Sequence, residues 1–118
     1  LAGIITDPTS TLSSTSPHDS SKFYGVDGNG TKYTASVSSG SWGSTWTTND
    51  IIGLGVDLDN SRLYVSKNGQ WSDGAGNYDE STPNAYVTIA SNELYFMLVG
   101  DTGNAATATW QANFGNGY

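Results

Sequence analysis

DIIGLGVDLDNSRLYVSKNGQW, from Asp50 to Trp71, alternates in a way that suits extended chain and not helix. Ile52, Leu54, Val56 and Leu58 recur at period two and share one face, while Ile51, Gly53, Gly55 and Asp57 take the other. Asp59, Asn60 and Ser61 break the pattern with side chains that bond their own backbone, and the chain returns from Arg62 to Ser66 with Leu63 and Val65 inward. Lys67-Asn68-Gly69 closes the return strand, because Asn-Gly supplies the positive φ angles of a second tight turn. The stretch predicts two paired, half-buried strands, and with them a β scaffold.

The flanking segments extend the same reading. Ala2 to Ile5 opens as a strand, and Thr6 to Lys22, rich in Ser and Thr and broken by Pro8 and Pro17, reads as a long surface loop. Phe23 to Val26, Asp27 to Gly30 and Thr31 to Tyr33 read as a hairpin with a Gly-rich tip. Ser38 to Thr48 is expected as a loop carrying Trp42 and Trp46, and Gln70 to Pro83 as a polar excursion. Tyr86 to Ala90 resumes as a strand. Glu93 to Val99 is apolar on both faces, which predicts a central strand covered on each side of a two-sheet sandwich. Ala106 to Phe114 alternates small or aromatic residues with polar ones, predicting a strand with Trp110 in the core. No segment repeats apolar residues at helical spacing, so almost no helix is expected, and no fixed-period repeat suggests a solenoid.

Composition sets the bounds. A chain of 118 residues suits one domain over 1–118, built around a single core. Charged residues make up only 13% against 36% hydrophobic, and the abundance of Gly, Ser, Thr and Asn favours short strands and turns. A net charge of −7 with four basic residues opposes binding to nucleic acid or insertion at an anionic membrane, since phosphate neutralisation needs clustered Lys and Arg. The absence of cysteine removes disulfides, thiolate catalysis and thiolate metal sites. No apolar run reaches the length of a membrane span.

The central stretch also resembles a known family. Asn49-Asp50-Ile51-Ile52-Gly53, Val56-Asp57-Leu58-Asp59 and Leu63-Tyr64-Val65-Ser66-Lys67-Asn68-Gly69 are similar to the signature segment of the SPRY domain. Ala112-Asn113-Phe114-Gly115 resembles the Val-Asn-Phe-Gly that ends that family's last core strand, and Ala2-Gly3-Ile4-Ile5 resembles its internal Val-Gly-Ile strand. The resemblance implies an all-β, antiparallel two-sheet β-sandwich of the concanavalin-like jelly-roll type. It also implies strands before the Val-Gly-Ile element, and no residues here fill that place. The chain begins at Leu1 without an initiator Met, so the expectation is a fragment of a longer chain, missing its N-terminal strands and completed from elsewhere.

Candidate chemistry is sparse. The single His, His18, sits beside Asp19 in a Ser/Thr/Pro-rich loop with no Gly-x-Ser-x-Gly elbow, and is expected to be solvated rather than catalytic. Asp57 and Asp59, two apart on one strand, superficially suggest a carboxylate pair for sugar hydrolysis, with Glu93 as a third acid. The plainer reading makes Asp59 start the turn and Asp57 cap a loop or meet Arg62, and no catalytic residue is assigned. Asp73, Asn77, Asp79 and Glu80 place four oxygen ligands within eight residues, a weak candidate for Ca²⁺ without the spacing of an EF-hand. No other cofactor is expected. The sharper candidates are the loop residues Trp42, Trp46, Trp71, Asp73, Asn77 and Tyr78, because aromatic planes beside Asp and Asn stack on sugar rings and bond hydroxyls. Against this stands a structural reading, in which Trp side chains plug the ends of a small core or contact neighbouring subunits.

SPRY domains bind partners through loops at one end of the sandwich, and the resemblance places parts of Ser38 to Thr48 and Gln70 to Pro83 among them. The low charge and Gly/Ser/Thr/Asn richness are similar to those of modules in bacteriophage and other virion-associated proteins. The leading expectation is therefore a non-enzymatic structural or adhesion module, in a virion or extracellular, decorating a capsid or fibre. Its partners would be other virion or structural proteins in an oligomer, with host-surface glycan as a ligand. The alternative is a protein- or peptide-binding SPRY module within a larger protein.

Overall fold

A computed structural model of the chain describes residues 1–11, 16–101 and 108–114, which carry ten strands. In chain order these are β1 (Ala2–Ile5), β2 (Phe23–Val26), β3 (Thr31–Thr34), β4 (Val37–Ser41), β5 (Ile52–Asp57), β6 (Arg62–Lys67), β7 (Gln70–Ser72), β8 (Tyr78–Glu80), β9 (Val87–Thr88) and β10 (Phe96–Val99). Antiparallel pairing gives a first sheet in the order β10-β1-β2-β3-β4 and a second in the order β5-β6-β7-β8, with β9 also paired to β6. Two 3₁₀ turns, Pro8–Thr11 and Pro17–Asp19, are the helical segments among the described residues. The expected all-β two-sheet sandwich is the fold.

The central hairpin forms as its alternation predicts, with Ile52 opposite Lys67 at one end and Asp57 opposite Arg62 at the other. Asp57 closes the intervening turn: Asn60 donates its backbone N–H to Oδ1 at 3.0 Å and its side-chain amide to Oδ2 at 2.8 Å. At the far end Asn68 (φ 52°) and Gly69 (φ 84°) make the tight turn into β7. Asn68 does more than turn the chain. Its Oδ1 accepts the N–H of Ile51 at 2.8 Å and its Nδ2 donates to Asp50 at 2.7 Å. Asp50 also accepts the Thr47 N–H at 2.7 Å and meets the Lys67 ammonium at 3.3 Å, so the loop before β5 is tied to the return strand. These donors, the Thr47 N–H first and the Asn68 amide next, hold the Asp50 carboxyl down at about 2.

The inward faces meet between the sheets. Ile4, Tyr24 and Val26 from the first sheet pack with Leu63, Val65, Val87 and Ile89 from the second, each burial contributing about 1.5–3 kcal/mol for a large aliphatic side chain. Trp42, fully buried, completes this core. A second cluster, Leu1, Ile5 and Phe23 with Tyr33 and Leu98, lies on the opposite face of the first sheet. The Pro17–Asp19 turn packs there, with the His18 ring 4.7 Å from that of Tyr33. β1 and β2 are therefore buried on both faces, and Gly3 and Gly25, cross-strand partners, leave room for the Phe23 ring.

Several expectations are corrected. Val37–Ser41 is an edge strand instead of the start of a loop; every side chain on it is exposed, so it shows no apolar period. The polar excursion from Gln70 to Pro83 contains β7 and β8, and the strand at Tyr86 to Ala90 shortens to Val87–Thr88. Glu93 to Val99 is not a covered central strand: β10 sits at the sheet edge, pairs with β1, and leaves Phe96, Met97 and Val99 exposed. Residues 108–114 form no strand, while Ala106 and Thr107 lie outside the described residues. On β5 the inward face is only half covered, since Val56 and Leu58 are exposed and Ile52 and Leu54 partly buried.

Candidate functional site: an aromatic row on the second sheet

The loop aromatics separate into two groups. Trp42 is fully buried and unavailable to any ligand, a correction to its expected place on an open loop. The Tyr78 ring lies against Gly43 so closely that a Cβ there would overlap it; burial pushes the phenol pKa up, and the indole of Trp46 is its polar neighbour. Trp46 in turn packs edge-on to Trp110 with centroids 6.2 Å apart. Trp42, Trp46 and Tyr78 thus plug the sandwich from its loop end, Trp42 fully and the other two partly buried. Trp110, expected in the core, is half-buried at the side of that plug.

Trp71 behaves differently. It pairs with Ser66 across the β6–β7 ladder, so it projects from the face of the second sheet opposite the core, where Gly53, Gly55, Arg62 and Tyr64 also project. Its six-membered ring reaches across β6 to within 3.2 Å of where a Gly55 Cβ would stand. Tyr64 meets Trp71 edge-on at 6.4 Å and 80°, and Tyr86 meets Tyr64 at 5.9 Å and 64°. The Arg62 guanidinium caps the row, 4.4 Å from the Tyr86 centroid. The Tyr64 hydroxyl is the main cause of a raised Arg62 pKa, so the cap is cationic at any physiological pH. Glu80, opposite Trp71 in the β7–β8 ladder, puts a carboxylate on the same face. One surface therefore offers three contiguous rings, a stacked cation and an acid.

Two of the acidic candidates, Asp73 and Asp57, are committed to their own turns. Asp73 Oδ1 accepts the N–H groups of Ala75, Gly76 and Asn77 at 2.7–3.0 Å, and Oδ2 accepts the Asn77 side-chain amide at 2.8 Å. Asn77 therefore serves the same turn, and these bonds, the Asn77 N–H first, hold the Asp73 carboxyl at about 2. The carboxylate closes its own loop, while Asp79 is exposed and Glu80 half-buried on β8. Asp57, fixed by Asn60, has a lowered pKa, the opposite of what a general acid needs, and Asp59 and Glu93 are exposed. His18 is not solvated as expected. It packs on Tyr33 with Asp19 at 3.5 Å.

A comparison with protein families decides the relationship. The model of the SPRY domain matches residues 2–89, three-quarters of the chain. The chain belongs to the SPRY domain family. No curated protein and no solved structure matches it. The SPRY match covers both walls of the core and the whole aromatic row, from β1 through Ile89, and stops before β10. SPRY domains mediate protein–protein interactions and are in general non-catalytic.

Sequence reading named Trp71 but not its neighbours in the row. Arg62 and Tyr64 carried a signal, since both occupy outward positions of a strand whose inward positions were recognised. Tyr86 carried none: it joins the row because β9 pairs with β6 at Leu63–Val87, a contact between segments that no local pattern announces.

Proposed function

We propose that this chain is a non-catalytic SPRY interaction module that binds a protein partner through the outer face of its second sheet. The observation that carries the reading is the contiguous row of Trp71, Tyr64 and Tyr86 capped by Arg62, because Trp, Tyr and Arg are the residues that dominate protein–protein binding energy. The rings stand on paired strands and glycines at 53 and 55 keep the adjoining surface low, which favours docking with little backbone reorganisation. The proposed binding needs no cofactor. The test is affinity capture with the intact chain, followed by titration of each recovered polypeptide as a purified species. Trp71→Ala and Tyr86→Ala are each expected to weaken binding about tenfold or more, as hot-spot truncations do. Unchanged affinity in both variants rejects the site.

A second reading places the module on a virion or in an extracellular oligomeric appendage, with host-surface glycan as ligand. Its support is the low charge density, which suits symmetric assemblies, and the same ring row beside Glu80, since Trp and Tyr planes next to carboxylates stack on pyranose rings. Binding on a glycan array that is lost in Trp71→Ala favours this reading. A blank array removes it.

A further inference from the structure

We infer that the outer edge of β5 is a second interaction surface, one that takes an extended strand from a partner polypeptide as an added member of the second sheet. The ladder to β6 fixes which peptide groups are free. Asn68 donates to the Ile51 carbonyl, and pairing at alternate residues then directs Gly53, Gly55 and Asp57 toward β6 and the N–H and C=O of Ile52, Leu54 and Val56 away from it. Among the described residues no strand pairs with that side of β5. Donors and acceptors repeating every second residue fit the backbone of another extended chain and no other common ligand.

The edge also lacks the devices that usually blunt one. β4 is irregularly paired with β3 and polar, and β8 is three residues long and acidic, whereas β5 runs six residues without Pro, Lys or any charge from Ile52 to Val56. Beside it opens a groove of about 380 Å³, lined by Ile52 and Leu54 of the second sheet, Met97 and Val99 of the first, and the chain's own residues from Trp110 to Phe114. An incoming strand is therefore apolar at alternate positions, which face this groove. Charge sets its ends. Lys67 is neutralised by Asp50 at one end of β5, while at the other Asp57 faces Arg62 and Asp59 stands exposed in a chain of net charge −7, so the strand carries Lys or Arg where it nears Asp59.

The probe is a synthetic ten-residue peptide of alternating Val and Thr with Lys at each end, added to the full chain and followed by amide hydrogen exchange. In the free protein the Ile52, Leu54 and Val56 amides are expected to exchange at least tenfold faster than those of Gly53 and Gly55, and saturating peptide slows them at least tenfold. Leu54→Pro removes one outward N–H and no bond to β6, a position where an edge strand tolerates Pro, and should abolish this protection while the protein remains folded. If that variant does not fold, Val56→Lys, at a side chain 41% exposed, places a like charge against the peptide and should weaken it about tenfold. Three results overturn the inference: outward amides unaffected by peptide, outward amides already protected at every dilution because the chain's own residues cover the edge, or protection that appears with protein concentration alone, which makes the occupant a second copy.

Discussion

The hydroxyl of Ser72 donates to the carbonyl of Trp42 from a position 30 residues further along the chain, and both side chains are fully buried. This bond hooks β7 to the loop that carries the main aromatic plug, and Ser72 also accepts the Gly74 N–H at 2.9 Å. Ser72→Ala leaves the buried Trp42 carbonyl without this donor, while the Gly74 N–H, at an exposed residue, can turn to water. The expected loss is about 1–3 kcal/mol, the cost of a buried polar group left unpaired, read as a lower urea midpoint with unchanged slope.

The two groups of aromatics should separate in stability measurements. Trp42→Ala removes the largest fully buried side chain of the core and should cost about 3–5 kcal/mol. Tyr86→Ala, at a residue 44% exposed, should cost no more than about 1 kcal/mol, the scale of one aromatic pair. Equal losses would mean that the row is part of the core.

Gly25→Ala tests the packing of the first sheet. A Cβ at Gly25 would collide with the Ala2 carbonyl and the Phe23 ring, and Gly3 stands directly opposite, so neither strand has slack. Destabilisation of about 2–3 kcal/mol or more is expected, in the range of an overpacked core. The double variant Gly25→Ala with Phe23→Leu should recover part of it in the same denaturation assay.

Acid should weaken the fold through Asp50 and Asp73. Both carboxyls lie at about 2 when folded, against 3.8 for an unperturbed aspartate, so the unfolded chain takes up protons first. Their contribution is complete above about pH 4 and is lost as the pH falls toward 2. The thermal midpoint should therefore drop across that window, and Asp50→Asn or Asp73→Asn should each flatten the drop while lowering the midpoint at pH 7. A midpoint independent of pH between 4 and 2 would show that neither carboxylate holds its turn.

What could be read in advance follows from how side chains report their surroundings. The β5–β6 hairpin and the Asn68-Gly69 turn were legible because one face alternates and the turn demands positive φ. β4 was not, since an edge strand of Ser and Gly has no buried face, and its turn uses Ala35 and Ser36 at positive φ where sequence would look for Gly or Asn. β10 misled for the opposite reason: its apolar residues imply cover on both faces, and the structure leaves three of them exposed beside the groove. For the site, Trp71 was identified but not its setting. The partial burial of Tyr78 depends on a close approach at Gly43, which sequence does not encode locally.

The pairing of β1 with β10, Ala2 opposite Val99 and Ile5 opposite Phe96, has a consequence for biosynthesis. The β5–β6 hairpin can zip as soon as its residues leave the ribosome, but β1 must wait for more than ninety residues to be made before its second neighbour exists. At about 5–20 residues per second that delay is about 5–18 seconds, during which an apolar strand is held on one side only. Newly made chains should accordingly be most prone to aggregate, and most in need of a chaperone, in the interval just before β10 emerges.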